Sequence, residues 1–350
     1  MWEWKRAFVA AVLMVAAGAS GAEAGSCTST SLPSWTSSAP PLQDAVYGPA
    51  STTFDGKIYV ASGGTFPTGG SSVQFQSYDP VSNGWTQLPN APAALFAATL
   101  AYAGGRLWLF GGVTTTTQSA VYVYDFATNT WGPGPSMPSP RYAMASGVIG
   151  GKIYLVGGNQ VGANGAQDQN WEFDPATGIY TNRLPLPTPQ ARAGSAVTGG
   201  RLHVVAGHNQ LGNLVTTHYA YNPVTDTWQQ LADITFPVNQ AGATTIGAQT
   251  PACHGDIMIV SGGTPALGPG GASDPSHAPD SVAITQIYDV GSNTWSAGPS
   301  LSTGRFALRA EQVGDTIIAF GGYAAPNTVA TVERMQGFPL PVALQSFGVE

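Results

Sequence analysis

Short apolar runs alternate with glycine turns along most of this chain. KIYVASGG, RLWLFGG, KIYLVGG, RLHVVAGH, IMIVSGG and TIIAFGG each follow a turn and end on small residues. Polar and apolar positions alternating over about five residues after a glycine turn predict β-hairpins, not helices. The endings fall at Gly63-Gly64, Gly111-Gly112, Gly157-Gly158, Ala206-Gly207, Gly262-Gly263 and Gly321-Gly322. Their spacing of roughly 50 residues is the length of one supersecondary unit in a repeat architecture.

A second element recurs between these endings. Tyr78 to Trp85 reads YDPVSNGW, Tyr124 to Trp131 YDFATNTW, Tyr221 to Trp228 YNPVTDTW and Tyr288 to Trp295 YDVGSNTW. Phe173-Asp174 with Tyr180 is a further copy. Each unit reads as four strands. Strand a is small and apolar, b ends at the glycine pair, c carries Tyr-Asp, and d carries Trp. Stretches such as ASTTF and GSAVTGG suit the innermost strand, where converging sheets leave little room. The c–d turn uses Asp, Asn, Pro and Gly chemistry, and the Trp offers a large face to bury between sheets.

Gly-Gly, then Tyr-Asp, then Trp, repeated in register, resembles the kelch repeat from about Trp35 to Met335. The resemblance implies an all-β fold, a six-bladed kelch β-propeller. The sixth unit has no Trp after Val332-Glu333-Arg334, while Trp35 stands alone before the first unit. An N-terminal strand is therefore expected to complete the last blade and leave no open sheet edge. The expected organisation is a signal peptide over 1–24, the propeller over 25–336 and a tail over 337–350.

Composition adds bounds. Charged residues make up only 9% of the chain and the net charge is -7. That balance excludes an electrostatic match to nucleic acid or to an anionic membrane surface. Lys5-Arg6, the run FVAAVLMVAA and Ala22-Glu23-Ala24 have the order of a secretory signal peptide, which predicts a secreted or periplasmic protein. No later run approaches the ~20 apolar residues of a membrane span, and a monomer is expected. Cys27 and Cys253 are both placed on the face of the a–b and c–d turns. They are a candidate disulfide, with two free thiols the alternative.

Function is sought on the opposite face, where d–a and b–c loops meet. Arg141, Arg192, Arg305, Tyr142, Asn239 and His208 are the candidate ligand-binding residues there. Arginines, amides and aromatics together suit a polar or carboxylate-bearing ligand. The resemblance implies a protein or glycan partner. Strand a of the sixth unit also departs from its siblings. Arg309 and Glu311 stand where other units have small residues; two apart on a strand, they share a face. They are expected to line the channel and to pair with each other.

The leading expectation is a binding protein without catalysis. The alternative is an exported sugar-processing propeller of the sialic-acid epimerase (mutarotase) type, with Glu311 and Arg309 as candidate catalytic residues and Arg141 beside them. No cofactor and no metal are expected. Asp274, His277 and Asp280, in the long insertion of residues 264–285, match no metal motif. The copper site of galactose oxidase, an enzyme on a kelch propeller, has no counterpart in the scattered His203, His208, His218, His254 and His277. No serine nucleophile, phosphate loop or zinc spacing is present.

Overall fold

The alternating segments are antiparallel strands, most of them five residues long. A computed structural model describes residues 32–66, 70–160, 165–246, 256–265 and 281–336. Blade one comprises Ala50–Phe54, Lys57–Ala61, Phe75–Asp79 and Gly84–Leu88, its strands a to d. Blade two is Thr99–Ala103, Arg106–Phe110, Val121–Asp125 and Thr130–Pro133. Blade three is Ala145–Ile149, Lys152–Val156, Asn170–Asp174 and Ile179–Arg183. Blade four is Gly194–Thr198, Arg201–Val205, His218–Asn222 and Thr227–Gln230. Blade five is Gly242–Ile246, Ile257–Ser261, Thr285–Asp289 and Thr294–Gly298. Blade six supplies Arg309–Val313, Thr316–Phe320 and Val332–Gln336. No helix occurs among the described residues.

The missing strand of blade six comes from the N-terminal segment, as expected. Thr36 and Arg334 exchange two backbone hydrogen bonds of 2.8 Å. Trp35 is buried there, and its indole N–H donates to the Pro299 carbonyl at 3.0 Å. Its counterparts do the same one blade back: Trp85 to Pro40, Trp131 to Pro89, Trp228 to Leu184 and Trp295 to Ala232.

The recurring octapeptide is thus a self-contained corner. Its Tyr ring packs on its own Trp, with centroids 5.0 Å apart for Tyr78 and Trp85 and 5.1 Å for Tyr288 and Trp295. The Tyr hydroxyl donates to the side chain five residues on: Tyr78 to Asn83 at 2.7 Å, Tyr124 to Asn129, and Tyr221 to Asp226. That acceptor sits at positive φ, +51° in Asn83 and +55° in Asn129, a conformation Asn and Asp tolerate better than most residues. The acid after the Tyr caps the turn, as when Asp125 accepts the Ala127 N–H at 2.9 Å. In blade three Phe173 and Tyr180 take the Tyr and Trp places, 4.7 Å apart.

Apolar side chains fill the spaces between neighbouring blades. Phe75 of blade one, for example, packs with Leu107, Leu109 and Tyr124 of blade two. Comparable clusters lie at the other five junctions.

The strand-b endings hold with one correction. Left-handed pairs follow strand b at Gly111-Gly112, Gly157-Gly158, Ala206-Gly207, Gly262-Gly263 and Gly321-Gly322. In blade one the pair is Ser62-Gly63, at +59° and +121°, rather than Gly63-Gly64. The second position needs glycine: a Cβ on Gly207 would lie 2.4 Å from the Ala191 carbonyl oxygen.

Candidate functional site

Each d–a connection reaches the propeller axis through one residue of left-handed backbone. These are Gly48, Ala97, Ala143, Arg192, Gln240 and Ala307, with φ between +52° and +57°. Their peptide groups bond in a circle. Ala97 donates to Gly48 (2.9 Å), Ala143 to Ala97 (2.8 Å), Arg192 to Ala143 (3.1 Å) and Gln240 to Arg192 (2.9 Å). Ala307 donates to Gln240 (2.7 Å), and Gly48 closes the ring onto Ala307 (2.6 Å). The neck at this ring has a volume of about 30 Å³, space for one or two waters.

Outside the ring lies the rim. Tyr47, Phe96, Tyr142, Ala191, Asn239 and Phe306 bridge to Gly64, Val113, Asn159, His208, Thr264 and Tyr323, the residues that follow strand b's left-handed pair. The rim has two halves. Blades six, one and two carry an aromatic crescent of Phe306, Tyr323, Phe66, Tyr47 and Phe96. Tyr47 lies 4.8 Å from Phe96 and Phe66 5.2 Å from Tyr323 between ring centroids. Blades three to five carry a polar half.

In that polar half, Asn159 Nδ2 lies 3.2 Å from His208 Nε2, and His208 Nδ1 lies 3.0 Å from the Asn209 carbonyl. Asn159 donates to Nε2 and Nδ1–H donates to Asn209, which makes the ring neutral. Burial lowers the His208 pKa to about 4, the nearby Arg192 adding to the effect. Asn239 is buried and donates to the Thr264 carbonyl at 3.1 Å. Arg192 is also buried, bonded to the Tyr142 hydroxyl, and burial lowers its pKa. Of the residues expected to bind ligand, only Tyr142 keeps appreciable surface.

Arg141 and Arg305 are a correction. They occupy the blade corner filled by Val46, Leu95, Gln190 and Val238 elsewhere, and all six are buried. Arg141 donates to Gln160 (2.9 Å), Gln169 and the Pro140 carbonyl (2.8 Å), and lies over the Trp171 ring. Arg305 pairs with Glu333 at 3.1 Å. Both brace their blades from inside rather than line the rim, because the corner side chain points into the sheet while its successor faces the mouth.

Below the ring runs a channel of about 400 Å³ lined by the six a strands. Arg309 and Glu311 line it, as expected, but they do not form the expected ion pair. Arg309 Nε donates to the Pro49 carbonyl at 2.7 Å. Glu311 accepts from Ser51 Oγ at 2.6 Å and from Thr53 Oγ1 at 3.2 Å. Pro49 and strand a of blade one, which follows it, capture the two side chains. Burial raises the Glu311 pKa, opposed by the two hydroxyls and by Arg309. It lowers the Arg309 pKa, opposed by Glu311. Both groups are largely enclosed by protein and keep part of their surface toward the channel.

A second buried pair lies far from the rim: His203 Nδ1 and His218 Nε2 are 2.9 Å apart, against Tyr288 and Trp295. No cluster of three His, Cys, Asp or Glu able to hold a metal occurs among the described residues. Cys27, Cys253, His254, Asp274, His277 and Asp280 lie outside them, as do residues 1–24, expected to be a signal peptide, and the tail. Neither the ring nor the His203–His218 pair was legible in the sequence. Aligning the residue before each rim position would have set Arg141 and Arg305 beside Val46, Leu95 and Val238, three apolar corners.

Five four-stranded sheets and a sixth, three-stranded sheet completed by the N-terminal segment, around a necked channel, define a six-bladed propeller built as a binding scaffold. The family model for the KLHDC2/KLHL20/DRC7 Kelch-repeats domain matches residues 48–263, more than half of the chain. The chain belongs to the kelch-repeat family, whose propellers commonly bind proteins. No curated protein matches it significantly. Among solved structures it is similar to the one described as "Structure of YjhT", with a TM-score of 0.68. That match covers 84% of this chain and 95% of the other at 17% identity, a likeness of fold alone.

Proposed function

We propose that this protein is an exported binding propeller that presents its d–a/b–c face to a partner protein. The aromatic crescent carries this reading. Tyr47, Phe66 and Phe96 are partly exposed above the buried rings of Phe306 and Tyr323. Rigid aromatic surface beside a polar sector is the composition of interface centres, where such residues supply most of the binding energy. The mutarotase alternative needs Glu311 with two arginines. Arg141 is packed inside blade three, so only Arg309 remains beside Glu311, and we do not adopt it.

A photo-crosslinking residue at Phe66 in the exporting host tests the proposal, with Val224 on the opposite face as control. A discrete protein adduct from position 66 that disappears on Phe96→Ala is the expected result. Equal adducts from both positions, or none from either, would overturn it. Retention on a glycan array that is lost in the same variant would reassign the face to a glycan. Sequencing the mature N-terminus near Gly25 tests export.

A further inference from the structure

The channel is constricted on the side where the proposed partner docks. The hydrogen-bonded ring narrows it to about 30 Å³, while the space beneath measures about 400 Å³. That larger volume is in the range of small-molecule sites. From the ring, the strand-a walls of this pocket run toward the a–b turns.

The pair at the upper end of this pocket is not a requirement of the fold. At the positions of Arg309 and Glu311, the other blades carry Ala50 and Thr52, Thr99 and Ala101, Ala145 and Gly147, Gly194 and Ala196, or Gly242 and Thr244. Five a strands line the same channel without a charge there. The two charges are also not consumed by each other. The terminal guanidinium nitrogens of Arg309 make no hydrogen bond among the described residues, its Nε alone being engaged. Glu311 is fixed by one hydroxyl on each oxygen, and a carboxylate has about four acceptor sites. Charged groups enclosed in this way are stabilised by a partner. A simple anion satisfies Arg309 and is repelled by Glu311. A simple cation does the reverse. A dipolar molecule satisfies both.

We propose that the channel binds a small zwitterion of the amino-acid type, its carboxylate on the Arg309 guanidinium and its ammonium group on Glu311. The ligand's polar body faces the hydroxyls of Ser51, Thr53, Ser146, Thr244 and Thr245 along the wall. The site is separate from the rim, and its test does not depend on the partner.

The Nε–H of Arg309, held on the Pro49 carbonyl, is a local reporter. Its nitrogen–proton NMR signal is assigned by its loss in Arg309→Lys. Titration with glycine, acetate and methylammonium separates the charge requirements. Glycine is expected to shift the signal saturably, with affinity at least tenfold above that of either singly charged probe. In Glu311→Gln the glycine affinity is expected to fall at least tenfold while any acetate affinity is retained or rises. Calorimetry on Arg309→Lys, which keeps the charge but loses the two-pronged contact, is expected to show glycine binding weakened by a similar factor. Acetate binding as tightly as glycine, glycine binding that survives Glu311→Gln, or no saturable shift with any probe at tens of millimolar would each overturn the proposal.

Discussion

Arg305 Nη2 lies 3.1 Å from Glu333 Oε1 in the interior of blade six, and neither side chain has any exposed surface. The arginine also donates to the Thr331 carbonyl at 3.1 Å, and Glu333 Oε2 accepts the Ser302 N–H at 2.7 Å. The pair therefore ties the loop arriving from blade five to the strand that the N-terminal segment covers.

Removing one member leaves the other buried without compensation. Arg305→Met or Glu333→Leu alone is expected to cost about 3–5 kcal/mol. The double variant Arg305→Met/Glu333→Leu should recover most of that loss, because the apolar replacement leaves no orphaned charge. Urea unfolding of the three variants measures it; additive losses in the double variant would refute the coupling.

The repeated corner makes a separable prediction. Asn129 has a positive φ and accepts the Tyr124 hydroxyl. Asn129→Ala loses both favourable features and should destabilise by about 2 kcal/mol, combining left-handed strain with an unmet hydroxyl. Asn129→Gly removes the strain and isolates the hydrogen bond, with an expected loss near ~1 kcal/mol. Calorimetric melting of both variants, with Tyr124→Phe as the third corner of the cycle, checks the division.

Acid should weaken the junction of blades four and five. Burial lowers His203 from 6.5 to about 4 and His218 to about 3, with each other, Arg201 and Asp256 as the charged neighbours and Tyr288 across the blade junction. The unfolded chain binds protons that the folded chain refuses. The stability tied to these rings is complete above about pH 6.5 and falls as pH drops toward 4. Urea midpoints at pH 7.5, 6 and 5 should decline in that order, and His218→Phe should flatten the slope. An unchanged slope in that variant would assign the acid response elsewhere, for instance to His208.

Much of the fold was legible because each unit repeats the same backbone demands. The glycine pairs, the Tyr-Asp turn and the orphan Trp35 mark positions where geometry restricts residue type. The one-residue slip in blade one arose because Ser62 adopts the left-handed conformation, so the text SGG shows its glycines one place late. The site was less legible. Arg141 and Arg305 stand in loops, yet their partners Gln169 and Glu333 are each 28 residues further along the chain, beyond any local spacing rule. Register correctly placed Arg309 and Glu311 in the channel. It could not show that Ser51, about 260 residues away, would reach Glu311 before Arg309 did.

The six peptide bonds at the neck all run in one rotational sense, from Gly48 onto Ala307 and around. Each ring N–H already has its acceptor in the next peptide of the circle, unlike the free N–H groups at a helix N-terminus. The ring amides are therefore spent on one another and add no free donor to the pocket below. What settles there is left to the two charged side chains of blade six.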